Sequence, residues 1–297
     1  EVPSFFAELG SGDEQWDDPE GARAVAQAVL SLRGVDAHRE RQVVGVGGGH
    51  YAPRFGRVVR ETPWAVGHIA SDWQLEELGH PRTDEAAEVL EAAFERSGAT
   101  HALLDGEHPE MAAAIEDLGY RIVSETWVRT VGDRPLDLVR ALESGVATVD
   151  EGLRFGRHVP DAREWVKVSL PDDLLAAAQN VDGAATRAAV REAAVAFDSI
   201  ENGTRAKGDA AVPDPDAYDD LIDDLAAILR EDYDDVSVTE DAVVAREEAF
   251  DPEKARKLGI PEGPKMGMLS GGQAVEVDGE RIPPTAVHSE REERFPV

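Results

Sequence analysis

Short apolar runs alternate with helical spacings of apolar residues over the first 125 positions. The apolar runs predict strands at residues 2–9, 42–49, 64–70, 101–105 and 120–125. Between them, apolar positions three and four apart predict helices at residues 19–34, 84–98 and 109–119. Strands and helices that alternate with short connections are typical of α/β proteins with a largely parallel sheet. We therefore expect an α/β fold with a mostly parallel sheet.

The pattern loosens after about residue 125. Helical spacing continues at residues 134–144, 171–179, 185–197 and 218–230. A polar stretch at 201–216 is typical of a linker, and VEVDGERI at 275–282 predicts a β-hairpin that turns at an Asp-Gly pair. We expect two parts, an α/β domain at 1–125 and a mainly helical, acidic extension at 126–297 that ends in the hairpin.

Charge is the strongest compositional signal. The chain holds 61 acidic and 30 basic residues, a formal net charge of −31, and the acidic residues are spread along its whole length. Regular apolar spacing argues against disorder, so this is the composition of a folded protein from a salt-accumulating, haloarchaeal-type cytoplasm. In molar salt the Debye length falls to about 3 Å, and net acidity is then weak evidence against a nucleic-acid partner.

Compartment and metal chemistry follow from what the sequence lacks. It has no run of roughly 20 apolar residues and no basic-then-apolar leader, so we expect a cytoplasmic protein without a membrane partner. Because it has no cysteine, a metal would need histidine or carboxylate ligands. The chain opens on Glu1 and an apolar segment, from which we expect that its natural start lies upstream.

The stretch VVGVGGGHYAPR, residues 43–54, places three glycines and then His50 and Tyr51 at the end of a predicted strand. It matches neither G-x-G-x-x-G nor a phosphate-binding loop with lysine. Ligands of parallel sheets bind beyond the carboxyl ends of the strands, and Asp105 and His108 follow another such end. The stretch is either a site that presents an imidazole and a phenol or a tight bend whose side chains only pack.

Two further features leave alternatives open. Arg54, Arg57 and Arg60 follow at three-residue spacing, with no acidic residue between His50 and Arg60. They suit either bidentate contacts with RNA phosphates or surface ion pairs with the abundant carboxylates. His68 stands alone in an apolar run, which is more typical of a core histidine than of a ligand. Neither H-E-x-x-H nor G-x-S-x-G occurs, so zinc and a serine triad have no support from spacing.

Three segments in order, EVPSFFAELGS, GVGGGHYAPR and AVGHIASDW, resemble the archaeal and plant type of D-aminoacyl-tRNA deacylase. The resemblance covers residues 1 to about 124, so residues 1–125 are expected to be the C-terminal part of the catalytic domain. That family carries H-H-G-P-T just upstream of EVPSFF, a segment that this sequence lacks. It also has a lysine after the aspartate that corresponds to Asp105, where this sequence has Gly106, Glu107 and His108.

The resemblance implies a phosphorylase/hydrolase-like or peptidyl-tRNA hydrolase-like fold. It also implies hydrolysis of the ester that joins a D-amino acid to the tRNA 3′ end, with zinc as cofactor and D-aminoacyl-tRNA as partner. We expect a monomer. Two alternatives are a fragment that binds the tRNA 3′ end without catalysis and an enzyme that resembles nucleoside phosphorylases.

The same resemblance assigns roles to individual residues. His50 would be a general base or a zinc ligand, and His68 a second ligand or an orienting group. Tyr51 would hydrogen-bond the terminal ribose or the ester, and backbone N–H groups of the glycine turn would stabilise the oxyanion. The glycines assigned to that turn are Gly48 and Gly49, and the candidate tRNA contacts are Phe5, Phe6, Arg54, Arg57 and Arg60.

Overall fold

The computed structural model describes residues 9–10, 12–35, 41–277 and 279–297. It forms two compact units, residues 1–133 and 134–297. The strand predicted at 2–9 lies almost wholly outside the described residues. The division expected after residue 125 falls inside the first unit, because the helix that begins at Glu125 buries Trp127 and Val128 there.

The first unit alternates strands with helices, as the apolar pattern predicted. Its elements in chain order are α1 (Asp13–Trp16), α2 (Pro19–Ser31), β1 (Gln42–Gly47), α3 (Pro53–Glu61), β2 (Ala65–Ala70), α4 (Asp72–Leu78), α5 (Asp84–Ser97), β3 (His101–Asp105), α6 (Pro109–Asp117), β4 (Arg121–Val123) and α7 (Glu125–Val131). The predicted α/β architecture is confirmed.

The four strands form one parallel sheet in the order β2-β1-β3-β4. All six residues of β1 are buried, as expected for a central strand covered on both faces. Val44 and Val46 of β1 pack with Phe94 of α5 and Ile115 of α6 in one apolar cluster. This core holds the carboxyl ends of β1 and β3 in place.

His68 differs from the core residue that its apolar surroundings indicated. It lies in β2 and is exposed. Since β2 is at the edge of the sheet, its middle residues have less cover than those of β1, whose neighbours lie on both sides.

The described residues of the second unit form the predicted helices together with nine strands. Its elements are α8 (Leu136–Gly145), β5 (Arg154–Phe155), β6 (Val166–Ser169), α9 (Asp172–Ala193), β7 (Ala196–Ile200), β8 (Arg205–Val212), α10 (Pro215–Leu229), β9 (Asp235–Val238), β10 (Ala242–Phe250), α11 (Pro252–Lys257), α12 (Pro264–Ser270), β11 (Val275–Val277), β12 (Glu280–Ile282) and β13 (His288–Pro296). The strands form sheets in the orders β5-β7-β8-β6 and β13-β10-β9, and β11 pairs with β12 in the predicted hairpin. β13 follows that hairpin and pairs with β10 along its whole length.

The linker expected at 201–216 is instead structured, because it contains β8. Polar residues occupy the first half of β8, which is largely exposed, whereas Ala210, Ala211 and Val212 at its end are buried. β8 pairs with β7 on one side and with β6 on the other, so this segment is a central strand of its sheet. Among the described residues, no helix is both long and apolar enough to cross a lipid bilayer.

Candidate active site

The glycine triplet shapes the end of β1. Gly47 and Gly48 have φ angles of +86° and +82°, a region that glycine enters far more readily than other residues. A Cβ atom on Gly47 would lie 2.3 Å from the backbone oxygen of Asp105, and one on Gly48 would lie 2.6 Å from Asp105 Oδ2. A Cβ atom on Gly49 would meet nothing within 4 Å. The first two glycines therefore allow close approach to β3, whereas the third is unconstrained.

Parallel pairing brings the ends of three strands together. Val46 of β1 is level with Ala70 of β2, and Gly47 is level with Asp105 of β3. Two residues beyond the first pair, the Gly48 N–H donates to Asp72 Oδ1 at 3.1 Å, and the Asp72 N–H donates to the Gly48 oxygen at 3.0 Å. This reciprocal pair fixes the backbone of the glycine turn against the start of α4.

His108 completes what we call the strand-end cluster: Gly48, Asp72, Asp105 and His108. Its Nε2 lies 3.2 Å from the Asp105 backbone oxygen and 3.5 Å from Asp72 Oδ1. A carbonyl oxygen can only accept, so Nε2 must carry a proton to bond it. The imidazole of His108 therefore links Asp105 and Asp72. Asp105 and His108 both lie beside the glycine turn, as their position at a strand end indicated.

His50 and Tyr51 lie at the open side of this turn. Both are exposed, Tyr51 by 91 % of its surface, and their rings meet edge to face with centroids 5.1 Å apart. In the part of the chain that the structure describes, the His50 ring makes no hydrogen bond. The Gly48 N–H is committed to Asp72, whereas the N–H of Gly49 has no partner among the described residues. An imidazole and a backbone donor are thus open to a ligand at the same turn.

The two histidines assigned to zinc are not brought to one end of the sheet. His68 pairs with Val44 in the middle of the strands, three residues and so about 10 Å before the level of Gly47. Within the described ranges, no three His, Asp or Glu side chains are placed to hold a metal ion. These residues therefore do not fit a zinc site by themselves.

Two of the three candidate tRNA arginines are held by carboxylates. Arg57 bonds both oxygens of Glu125, at 2.9 and 2.7 Å. Arg54 Nε lies 3.3 Å from Glu125 Oε2, and its Nη1 lies 3.5 Å from Asp105 Oδ1. Both arginines therefore form ion pairs, and their contact with RNA stays a prediction. Arg60 is exposed, and no ion pair forms on it among the described residues.

Comparison with known proteins provides independent evidence about the family of this chain. The family model described as D-aminoacyl-tRNA deacylase matches residues 1–123. Relatives with that name include proteins of Halorubrum lacusprofundi, 54 % identical over 100 % of this chain and 64 % of their own, and of Natronomonas pharaonis, 49 % identical over 98 % and 66 %. A Haloquadratum walsbyi protein of the same name is 33 % identical over 100 % of this chain and 69 % of its own. The chain belongs to the D-aminoacyl-tRNA deacylase family.

This family membership confirms the resemblance and extends it. The family model ends near residue 124, where the resemblance also ended, but the haloarchaeal relatives align over both units. The chain spans 64 % and 66 % of the lengths of the first two deacylases named above. The second unit is therefore shared with the haloarchaeal deacylases.

Sequence reasoning missed two residues of this candidate site. Asp72 is separated from the apolar run of β2 by Ser71 alone, and Asp105 ends the run of β3, so the position of Asp72 near a strand end was the available signal. Glu125 carries no such signal, since its partner Arg57 lies 68 residues away along the chain. Both carboxylates act by holding groups of the glycine turn or of α3 in place.

Glu125 links α3 to α7 and is expected to make stability depend on acid. Hydrogen bonds from Arg57, and then from Arg129, lower the pKa of the Glu125 carboxyl from 4.5 to about 2, although burial opposes the shift. Because the folded-state pKa is the lower one, the contribution is present above pH 4.5 and is lost as the pH falls towards 2.

We expect Glu125→Gln to lower the free energy of unfolding by about 2 kcal/mol at neutral pH, somewhat less than the shift itself implies because solvent and salt screen the pair. Denaturant unfolding between pH 7 and 2 checks this, and the gap between variant and wild type should close in acid. Asp117→Asn, which removes an exposed ion pair with Arg82, is the control and should change little. An equal loss in both variants would contradict a special role for Glu125.

Proposed function

We propose that the protein hydrolyses the ester bond of D-aminoacyl-tRNA and releases the free D-amino acid and tRNA. Its haloarchaeal relatives have this activity in their names. The observation that carries the proposal is the glycine turn at the carboxyl end of β1. There the His50 imidazole and the Gly49 N–H lie next to each other, and neither has a hydrogen-bond partner among the described residues. Acyl transfer to water needs a proton acceptor and a donor for the developing oxyanion, and both groups meet these needs.

In this proposal His50 takes a proton from water as the water oxygen attacks the ester carbonyl carbon. The carbonyl oxygen gains the negative charge of the tetrahedral intermediate, and the N–H of Gly49 donates to it. When the intermediate collapses, the bond between the carbonyl carbon and the ribose oxygen breaks. The protonated His50 returns its proton to that ribose oxygen, and Tyr51 binds the terminal ribose.

The strand-end cluster serves this chemistry by positioning. Asp72 holds the Gly48 N–H, and His108 joins Asp72 to the Asp105 backbone. Both contacts restrain the turn that presents Gly49 and His50. A donor must be held in place before the charge develops, because a donor that has to reorient loses much of its effect.

Contacts with RNA are proposed at α3 and at the N-terminal motif. Arg60 has no ion pair among the described residues, so its guanidinium is the one best placed to contact a phosphate. Arg54 and Arg57 already pair with Glu125, so an RNA phosphate would have to share these two guanidinium groups with that carboxylate. Phe5 and Phe6 lie outside the described residues, and their contact with the substrate stays a prediction from the family resemblance. A cytoplasmic location and a monomeric state accompany the proposal.

The test is deacylation of matched D-tyrosyl- and L-tyrosyl-tRNA by the protein in its full natural length, in molar salt. We expect the D-ester to be hydrolysed about 100-fold faster, a difference of about 2.7 kcal/mol in transition-state binding. Equal rates for the two esters would contradict the proposal. Binding of tRNA without turnover would support the binding-fragment alternative, and phosphate-dependent release of a base from a nucleoside would support the phosphorylase alternative.

The same assay with a chelator addresses zinc. The steps above use protein groups and water alone, so turnover should persist after chelation. If the chelator abolishes turnover and added zinc restores it, residues beyond the described ones must help to hold a zinc ion.

A further inference from the structure

A cavity of about 410 Å³ lies next to His108. Leu75 and Gly79 line it from α4 and the residue that follows, Pro81 from the connection to α5, and Pro109 and Met111 from α6. Glu110, which is exposed, is the one acidic residue among the lining residues. The volume is within the usual range of small-ligand sites, roughly 300 to 1,000 Å³, and the walls are mostly apolar.

The two helices that line the cavity also supply the strand-end cluster. α4 begins with Asp72 and presents Leu75 three residues later, and α6 follows His108 and presents Met111 three residues later. Residues three apart lie on the same side of a helix. Each helix therefore has a polar residue at the glycine turn and an apolar residue in the cavity one turn further on, and His108 lines both places.

We infer that this cavity receives the side chain of the D-aminoacyl group, an inference that rests on the proposed function. The ester carbonyl is bound at Gly49, and the side chain leaves the adjacent α-carbon, so its site must adjoin the strand-end cluster. The cavity does so through the His108 ring. Its apolar walls favour aliphatic and aromatic side chains, and Glu110 disfavours acidic ones.

Leu75 forms part of the cavity wall, and its effect on substrate choice can be tested against a matched control. Leu75 and Leu78 are both half-buried on α4, and both pack against the same apolar cluster of the first unit. Leu75 lines the cavity, whereas Leu78 does not. Leu75→Ala and Leu78→Ala should therefore cost similar stability but differ in their effect on substrate choice.

The experiment compares kcat/KM for D-tyrosyl- and D-alanyl-tRNA in the full-length protein and both variants. Leu75→Ala should lower kcat/KM for the D-tyrosyl ester about tenfold and that for the D-alanyl ester by less than about twofold, because only the larger side chain reaches the wall. Leu78→Ala should leave the ratio of the two within about twofold of wild type. Leu75→Trp, which fills the cavity, should again penalise the D-tyrosyl ester more than the D-alanyl ester.

Two kinds of failure are distinguishable. If the wild-type protein deacylates neither ester, the proposed function fails and the cavity assignment fails with it. If it deacylates both but Leu75→Ala and Leu75→Trp leave the ratio unchanged, or Leu78→Ala changes it equally, the cavity assignment alone is overturned.

Discussion

Replacement of His50 by alanine is expected to lower kcat for D-aminoacyl-tRNA deacylation by about 100-fold or more, since a positioned general base contributes on the order of 10²- to 10⁴-fold. KM should change little, because the proton transfer is made in the transition state and not on binding. The measurement is single-turnover deacylation of D-tyrosyl-tRNA across a pH series.

Three controls separate this effect from a loss of structure. His50 is exposed, so the thermal unfolding midpoint of His50→Ala should match that of wild type. His158→Ala, which removes an exposed imidazole in the second unit, should retain full turnover. His108→Asn keeps a donor for the Asp105 oxygen and should be affected less than His50→Ala. Full activity of His50→Ala would rule out its role as the base.

The fold of the first unit was predictable where burial makes the apolar pattern continuous. β1 and β3 are apolar runs because a central parallel strand is covered on both faces. α4 and α7 were missed, since each has seven residues and so falls short of the window in which helical periodicity can be recognised. β8 was taken for a linker because only its last three residues are buried.

The site was predictable in its glycine turn but not in its partners. Three glycines before His50 are visible in the sequence, and their placement at a strand end follows from the apolar run before them. That Asp72 meets Gly48 depends on the register of β1 and β2, which places residues 24 apart side by side. A single sequence contains no direct sign of register, and for the same reason it could not choose between RNA contact and ion pairing for Arg54 and Arg57.

The acidity of the chain changes how the ion pairs of this site should be understood. At a net charge of −31, each arginine has many carboxylates to choose from, and Glu125 takes Arg54, Arg57 and Arg129 together. Contacts as short as those with Glu125 are screened by salt much less than diffuse attraction is. α3 and α7 are therefore joined by a contact suited to high salt, and this contact supports the helix that follows the glycine turn.

Replacement of Gly47 by alanine is expected to abolish activity and to destabilise the first unit. The new Cβ atom would lie 2.3 Å from the Asp105 backbone oxygen and 2.4 Å from His108 Nε2, and the φ angle of +86° would strain any side-chain-bearing residue. Together these effects should cost about 3 kcal/mol or more and lower the unfolding midpoint by roughly 10 °C. Relief of the clash would push β3 and His108 away from the turn, which would also displace Gly49.

Gly49→Ala is the matched control, because its Cβ atom meets nothing within 4 Å and its φ angle is not positive. That variant should fold with the stability of wild type, and circular dichroism melts in molar salt compare the two. Equal melting of Gly47→Ala and Gly49→Ala would show that β1 and β3 do not approach as closely as described, and the positioning role of the strand-end cluster would then lose its basis.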